Sequence, residues 1–81
     1  MTNRLVLVIN GGSSSIKVAL RRENTAGAIF EAIAERLNTA QARLSTSDGL
    51  EQDLSGADHL AALDALLPLV DRHLDQPLSA V

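Results

Sequence analysis

Leu5-Val6-Leu7-Val8-Ile9-Asn10-Gly11-Gly12-Ser13-Ser14-Ser15-Ile16-Lys17 is the stretch on which the reading of this chain turns. Its first five residues form an uncharged run rich in β-branched side chains, the pattern of a strand buried on both faces in the middle of a sheet. The Gly-Gly-Ser turn breaks the run. Ile16, Val18 and Leu20 then alternate with Lys17, Ala19 and Arg21, so a second strand follows. A connection this short predicts an antiparallel hairpin, because a parallel return needs a crossover of a dozen or more residues.

The turn carries an unusual share of the chain's chemistry. Two glycines, three hydroxyls, a carboxamide and the sole lysine fall within eight consecutive positions. Consecutive N–H groups in such a turn can point inward, and glycine tolerates backbone angles that other residues avoid. Serine hydroxyls and the Lys17 ammonium add donors and charge suited to a phosphate. The order Gly-x-x-x-x-Gly-Lys leading into a helix is absent, and so is the dinucleotide spacing Gly-x-Gly-x-x-Gly. From composition alone two readings stand side by side: a phosphate-handling loop, and a Gly/Ser hairpin turn with an exposed lysine.

Farther along, Arg22 to Gly27 reads as a polar turn. Ala28 to Leu37 is ambiguous. Ile29, Ile33 and Leu37 recur every four residues as in a helix, whereas Ile29, Glu31, Ile33 and Glu35 would share one face of a strand. Periodicity leans to the helix. Ala42, Leu44 and Thr46 alternate with Arg43 and Ser45 and suggest a strand ending at the turn pair Asp48-Gly49. Leu60, Leu63, Leu66, Leu67, Val70 and Leu74 then form a helical stripe, with Asp58 near its positive end and Arg72 and His73 near its negative end. Pro68 should kink or divide this helix, and Gln76-Pro77 should stop it. Leu78-Ser79-Ala80-Val81 looks like the opening of another apolar element.

Composition narrows the classes of function. The chain has 81 residues, a formal charge of −3, Phe30 as its one aromatic residue and no cysteine. One small domain is the ceiling, and scarce aromatics point to a thin core or one completed by further polypeptide. No basic tract argues for nucleic acid as the main partner. Thiolate zinc and disulfides are excluded. No apolar run is long enough to span a bilayer, and a signal peptide is lacking, so a cytoplasmic location is expected. His59 and His73 read as surface or helix-end histidines. Asp48, Glu51 and Asp53 read as a solvated turn, since the twelve-residue calcium loop does not fit them. Asp64 and Asp71 read as the wet face of the helix.

LVLVINGGSSSIKVAL closely resembles the amino-terminal strand-loop-strand of the acetokinase family, the short-chain acyl kinases, whose pattern is N-x-G-S-S-S-x-K. Asn10, Gly12, Ser13, Ser14, Ser15 and Lys17 match it, with Gly11 at the variable position. The resemblance runs more loosely through the leucine-rich helix to Val81, where a family member continues into a glycine-histidine-arginine segment. It implies an α/β fold: residues 1–81 would be the amino-terminal portion of the first domain of an actin-like, sugar-kinase-like ATPase. The implied sheet is mixed, begins with a β-hairpin and is flanked by a helix, and the family places a strand near Ala32 to Leu37.

The activity implied is reversible, Mg²⁺-dependent phosphoryl transfer between ATP and acetate, giving acetyl phosphate and ADP. Lys17, Ser13 and Ser15 would be catalytic. Gly12, Ser13, Ser14, Ser15 and Lys17 would bind the nucleotide, and Asn10 would serve the metal ion. Implied partners are acetate or acetyl phosphate and ATP or ADP, with no nucleic acid, no membrane and a homodimer at full length. Propionate or butyrate kinase remains an alternative, as does a non-catalytic fragment or degenerate relative that packs or binds nucleotide weakly. The 81 residues alone should be inactive, since a cleft between domains draws its catalytic groups from both sides.

Overall fold

A computed structural model describes residues 4–23 and 27–74. Five strands come first: β1 (Leu5–Gly11), β2 (Ile16–Arg22), β3 (Phe30–Glu35), β4 (Arg43–Thr46) and β5 (Glu51–Asp53). One helix follows, α1 (His59–Asp71). The strands lie in one sheet in chain order, and each of the four pairings is antiparallel. The expected hairpin is there: Leu7 pairs with Leu20, Ile9 with Val18 and Asn10 with Lys17.

Alternation decides which side of the sheet is buried. Leu5, Leu7, Ile16, Val18, Leu20, Phe30, Ala32, Ala34 and Leu44 are all buried. Helix α1 packs over β2 and β3 and closes this face with Ala62, Leu66 and Val70. Leu37 and Ala42, from the segment joining β3 to β4, complete the cluster. The opposite face carries Lys17, Glu31, Glu35 and Arg43, and it holds the ion pairs Lys17–Glu31 and Arg43–Glu51. Among the described residues no polar or charged residue is buried.

Several expectations are corrected. β1 is an edge strand among the described residues, not a central one, and it is not buried on both faces: Val8 and Ile9 are 36% and 37% exposed. Val8 lies on the face opposite α1, and Ile9 lies on the helix side but outside the cover of α1, which packs over β2 and β3. The helical lean at Ala28 to Leu37 fails, because pairing on both sides, to β2 and to β4, outweighs the four-residue spacing. The family's strand is present instead, at Phe30–Glu35.

β4 ends before the Asp48-Gly49 turn as expected, but β5 gave no apolar signal because Glu51, Gln52 and Asp53 are all exposed. Gly49, at φ +94°, closes a three-residue hairpin loop between Thr46 and Leu50, a position that suits glycine.

Asp58 caps α1 by accepting from the Ala61 N–H at 2.8 Å, in keeping with its expected place at the positive end. The helix runs through Pro68 undivided. Only its last turn follows the proline, so the missing N–H costs one hydrogen bond near an end. The buried stripe is turned from the expected one: Leu60 is 69% exposed and Leu67 40%, while Ala62 takes the inner position. The helix ends at Asp71, before His73 and Leu74. The Gln76-Pro77 stop and the Leu78–Val81 element lie outside the described residues, as does the middle of the Arg22–Gly27 turn, whose first residue closes β2.

Candidate functional site

The β1–β2 hairpin lifts residues 12–15 beyond the paired strands. Asn10 and Lys17 face each other across the ladder, so both side chains leave the sheet on the face opposite α1. The turn closes with the Gly12 N–H donating to the Ser15 carbonyl at 2.8 Å. Ser13 and Ser14 are exposed and Ser15 is half-buried. Among the described residues no protein group pairs with the N–H or hydroxyl groups of Ser13 and Ser14.

Neither Gly11 nor Gly12 adopts a positive φ, so the glycines do not serve the conformational role expected of them. Space is tighter at Gly12 than at Gly11. A Cβ built on Gly12 would lie 2.9 Å from the Ser15 hydroxyl oxygen, whereas one on Gly11 would meet nothing within 4 Å. This agrees with a pattern that leaves position 11 variable.

The back of the loop is braced at two carbonyls. Leu37 N–H donates to Ser14 O at 2.9 Å, and His59 Nε2 lies 2.7 Å from Gly12 O. The two braces are themselves joined, since Asn38 N–H donates to Ala57 O at 2.7 Å. Arg36 and Asn38 flank Leu37 with φ of +55° and +65°, a conformation that costs non-glycine residues about 1–2 kcal/mol each, less for asparagine. That backbone aims the Leu37 N–H at the loop while its side chain stays in the core.

Lys17 is not free in this arrangement. Its Nζ lies 3.1 Å from Glu31 Oε2, and both side chains are about half exposed. The Asn10 side chain has no hydrogen-bond partner among the described residues. Among those residues no three His, Cys, Asp or Glu side chains gather to hold a metal ion directly. A neutral carboxamide beside hydroxyls and backbone N–H groups suits instead a hydrated Mg²⁺ carried by phosphates, which keeps most of its waters. The donor set could hold a phosphate group with its hydrated metal.

His59 stands at a helix end as expected, as the first residue of α1, but its contact with Gly12 was not legible in the sequence. Its spacing from His73 signals nothing, and only the fold brings helix position 59 to Gly12. His73 has a separate, structural setting: its ring stacks on Phe30 at 4.2 Å and its Nε2 lies 3.6 Å from Asp48. The Asp48 carboxyl is held below the usual carboxylate range, first by the Thr46 hydroxyl that donates to it.

The fold is similar to that of a propionate kinase from Francisella tularensis. Its fold superposes with a TM-score of 0.77 over 86% of this chain and 19% of that one, at 22% identity. At that identity the likeness shows the fold alone.

Sequence goes further. The acetokinase family matches residues 5–81, and the chain belongs to that family. An acetate kinase from Ectopseudomonas mendocina is 47% identical over 75 residues, 89% of this chain and 19% of its own length. One from Pseudomonas aeruginosa is 45% identical over 73 residues, 86% of this chain and 18% of its own length. Acetate kinase 1 of Neisseria meningitidis is 34% identical, covering 100% of this chain and 22% of its own length. The chain thus spans about a fifth of the relatives it matches. No described helix is long and apolar enough to cross a membrane.

Proposed function

We propose that this chain supplies the phosphate-loop wall of a short-chain acyl kinase, which at full family length transfers a phosphoryl group reversibly between ATP and acetate. One observation carries the reading: a hairpin that sets Asn10 opposite Lys17 and presents the unpaired donors of Ser13 and Ser14 between them. Phosphoryl transfer asks little covalent work of a protein. It asks for positioning and for neutralisation of charge on the moving oxygens.

Lys17 would supply that charge by exchanging Glu31 for a phosphate oxygen. Ser13 and Ser15 would donate hydroxyls at the reacting phosphoryl group, and Gly12 and Ser14 would contribute backbone to the nucleotide site. Asn10 would orient a water of the Mg²⁺ ion, which when bound supplies positive charge to the phosphate oxygens. These 81 residues are the first part of the first domain in this reading, and the full-length protein is a cytoplasmic homodimer, as the family resemblance implies. Acetate is favoured as acceptor by the names of the relatives at 45–47% identity.

The test is an assay of the full-length protein for Mg²⁺-dependent acetyl phosphate formation, with acetate, propionate and butyrate compared by kcat/KM. No transfer to any of the three would end the kinase reading. A preference for a longer acid would move it to a propionate or butyrate kinase. Unchanged turnover in Lys17→Ala would remove Lys17 from the mechanism.

A further inference from the structure

We propose that His59 is a positioning residue for the serine loop, holding the Gly12–Ser13 peptide in the orientation that binds a nucleotide phosphate; this rests on the kinase reading above. A carbonyl oxygen only accepts, so the 2.7 Å contact requires His59 Nε2 to carry the hydrogen and donate it to Gly12 O. In a trans peptide the C=O and the following N–H point in opposite directions. Drawing Gly12 O toward α1 therefore turns the Ser13 N–H away from α1, to the exposed side of the loop.

The same logic acts one peptide pair later. The Leu37 N–H draws Ser14 O back at 2.9 Å, which turns the Ser15 N–H the other way. The two anchors belong to one flank, tied by Asn38 N–H to Ala57 O at 2.7 Å. Carbonyls are thus held behind and amides turned forward, the arrangement that makes a concave backbone attractive to an anion. Without His59 the Gly12–Ser13 peptide, preceded by a glycine and a turn, is free to rotate and to present a carbonyl oxygen where phosphate charge must sit.

His59 touches the loop from behind and does not itself meet the reacting atoms. Its replacement should act on phosphate binding while leaving the acyl acceptor alone. Glutamine reaches as far as Nε2 and donates from a similar point; leucine fills the space without donating.

The experiment compares wild type, His59→Gln and His59→Leu in the full-length protein. It measures the MgATP dissociation constant, KM for ATP, KM for acetate and kcat, and determines the His59 tautomer from ring nitrogen shifts in NMR. The expected result is about a tenfold rise in the MgATP dissociation constant and KM for His59→Leu, the size of one net hydrogen bond. KM for acetate should stay unchanged, glutamine should recover the affinity to within about threefold, and wild-type His59 should carry its hydrogen on Nε2.

Equal MgATP affinity in leucine and glutamine variants would overturn the proposal. So would an effect confined to acetate, or a hydrogen on Nδ1 alone. If wild type binds MgATP but transfers phosphate to none of the three acids, the kinase reading falls and the affinity series still decides the role of His59. If wild type binds no MgATP, both fall.

Discussion

The Nζ of Lys17 lies 3.1 Å from Oε2 of Glu31, one strand over on the face of the sheet opposite the helix. The pair is half exposed, so its own contribution to stability is about 0–1 kcal/mol and is screened by salt. Its importance is competitive: any phosphate that recruits Lys17 must first displace a carboxylate. Glu31→Gln should leave the melting temperature nearly unchanged and lower the KM for ATP at low ionic strength. The difference should shrink as salt is raised, which titration of ATP at several salt concentrations will check. A higher KM in the variant at low salt would show that Glu31 orients Lys17 instead of sequestering it.

Gly12 separates fold from function in a second way. Alanine there brings a Cβ to 2.9 Å from the Ser15 hydroxyl oxygen, and the serine relieves the contact by turning to another staggered rotamer. Gly12→Ala should therefore change stability by less than about 0.5 kcal/mol while displacing the Ser15 hydroxyl and reducing phosphoryl transfer. Adding Ser15→Ala removes that hydroxyl, so the double variant should melt close to Gly12→Ala while remaining poorly active. Chemical denaturation and turnover, measured together, will test this.

Leu66 is fully buried at the centre of the helix face that covers β2 and β3. Leu66→Ala should destabilise the fold by about 2–5 kcal/mol, from lost transfer energy and the cavity left behind. Leu60, 69% exposed on the same helix, should tolerate alanine within about 0.5 kcal/mol. Urea melts of the two variants provide the comparison. Equal losses would mean that the helix packs with a different face.

Acid stability should report on Asp48. Its carboxyl titrates below the usual carboxylate range, chiefly through the Thr46 hydroxyl and also through the Leu50 N–H and His73. A group whose folded pKa is depressed adds stability above its unfolded value, near 4, and loses it as pH falls through the folded value. Asp48→Asn should therefore be less stable than wild type at neutral pH and converge with it in strong acid. Denaturation midpoints between pH 7 and 2 will show this; parallel curves would contradict it.

How much of this was visible in the chain depends on the distance over which each feature acts. The β1–β2 hairpin, the turn at Gly49 and the place of Asp58 at the positive end of α1 are local, set by residues within a few positions, and sequence showed them. Strand β3 was obscured because Ile29, Ile33 and Leu37 imitate a helical repeat; pairing with β2 and β4 settles that segment, and pairing partners leave no mark in local spacing. β5 carries no apolar residue to betray it. The loop was legible from its composition and family pattern, but its brace was not. His59 and Leu37 reach it from 47 and 23 positions away in the chain, and Arg36 and Asn38 give no hint of their left-handed backbone.

The position of β1 has a consequence for handling the chain alone. Among the described residues nothing pairs with its outer side, so one row of N–H and C=O groups along Leu5-Val6-Leu7-Val8-Ile9 faces outward. That window has high β propensity, no charge and no proline, and it lacks the devices by which soluble sheets discourage addition of a foreign strand. Two copies meeting there can extend one another's sheet. The segment that begins the phosphate loop is thus also the one most apt to drive self-association as concentration rises, and a charge at exposed Val8 would be the first place to suppress it.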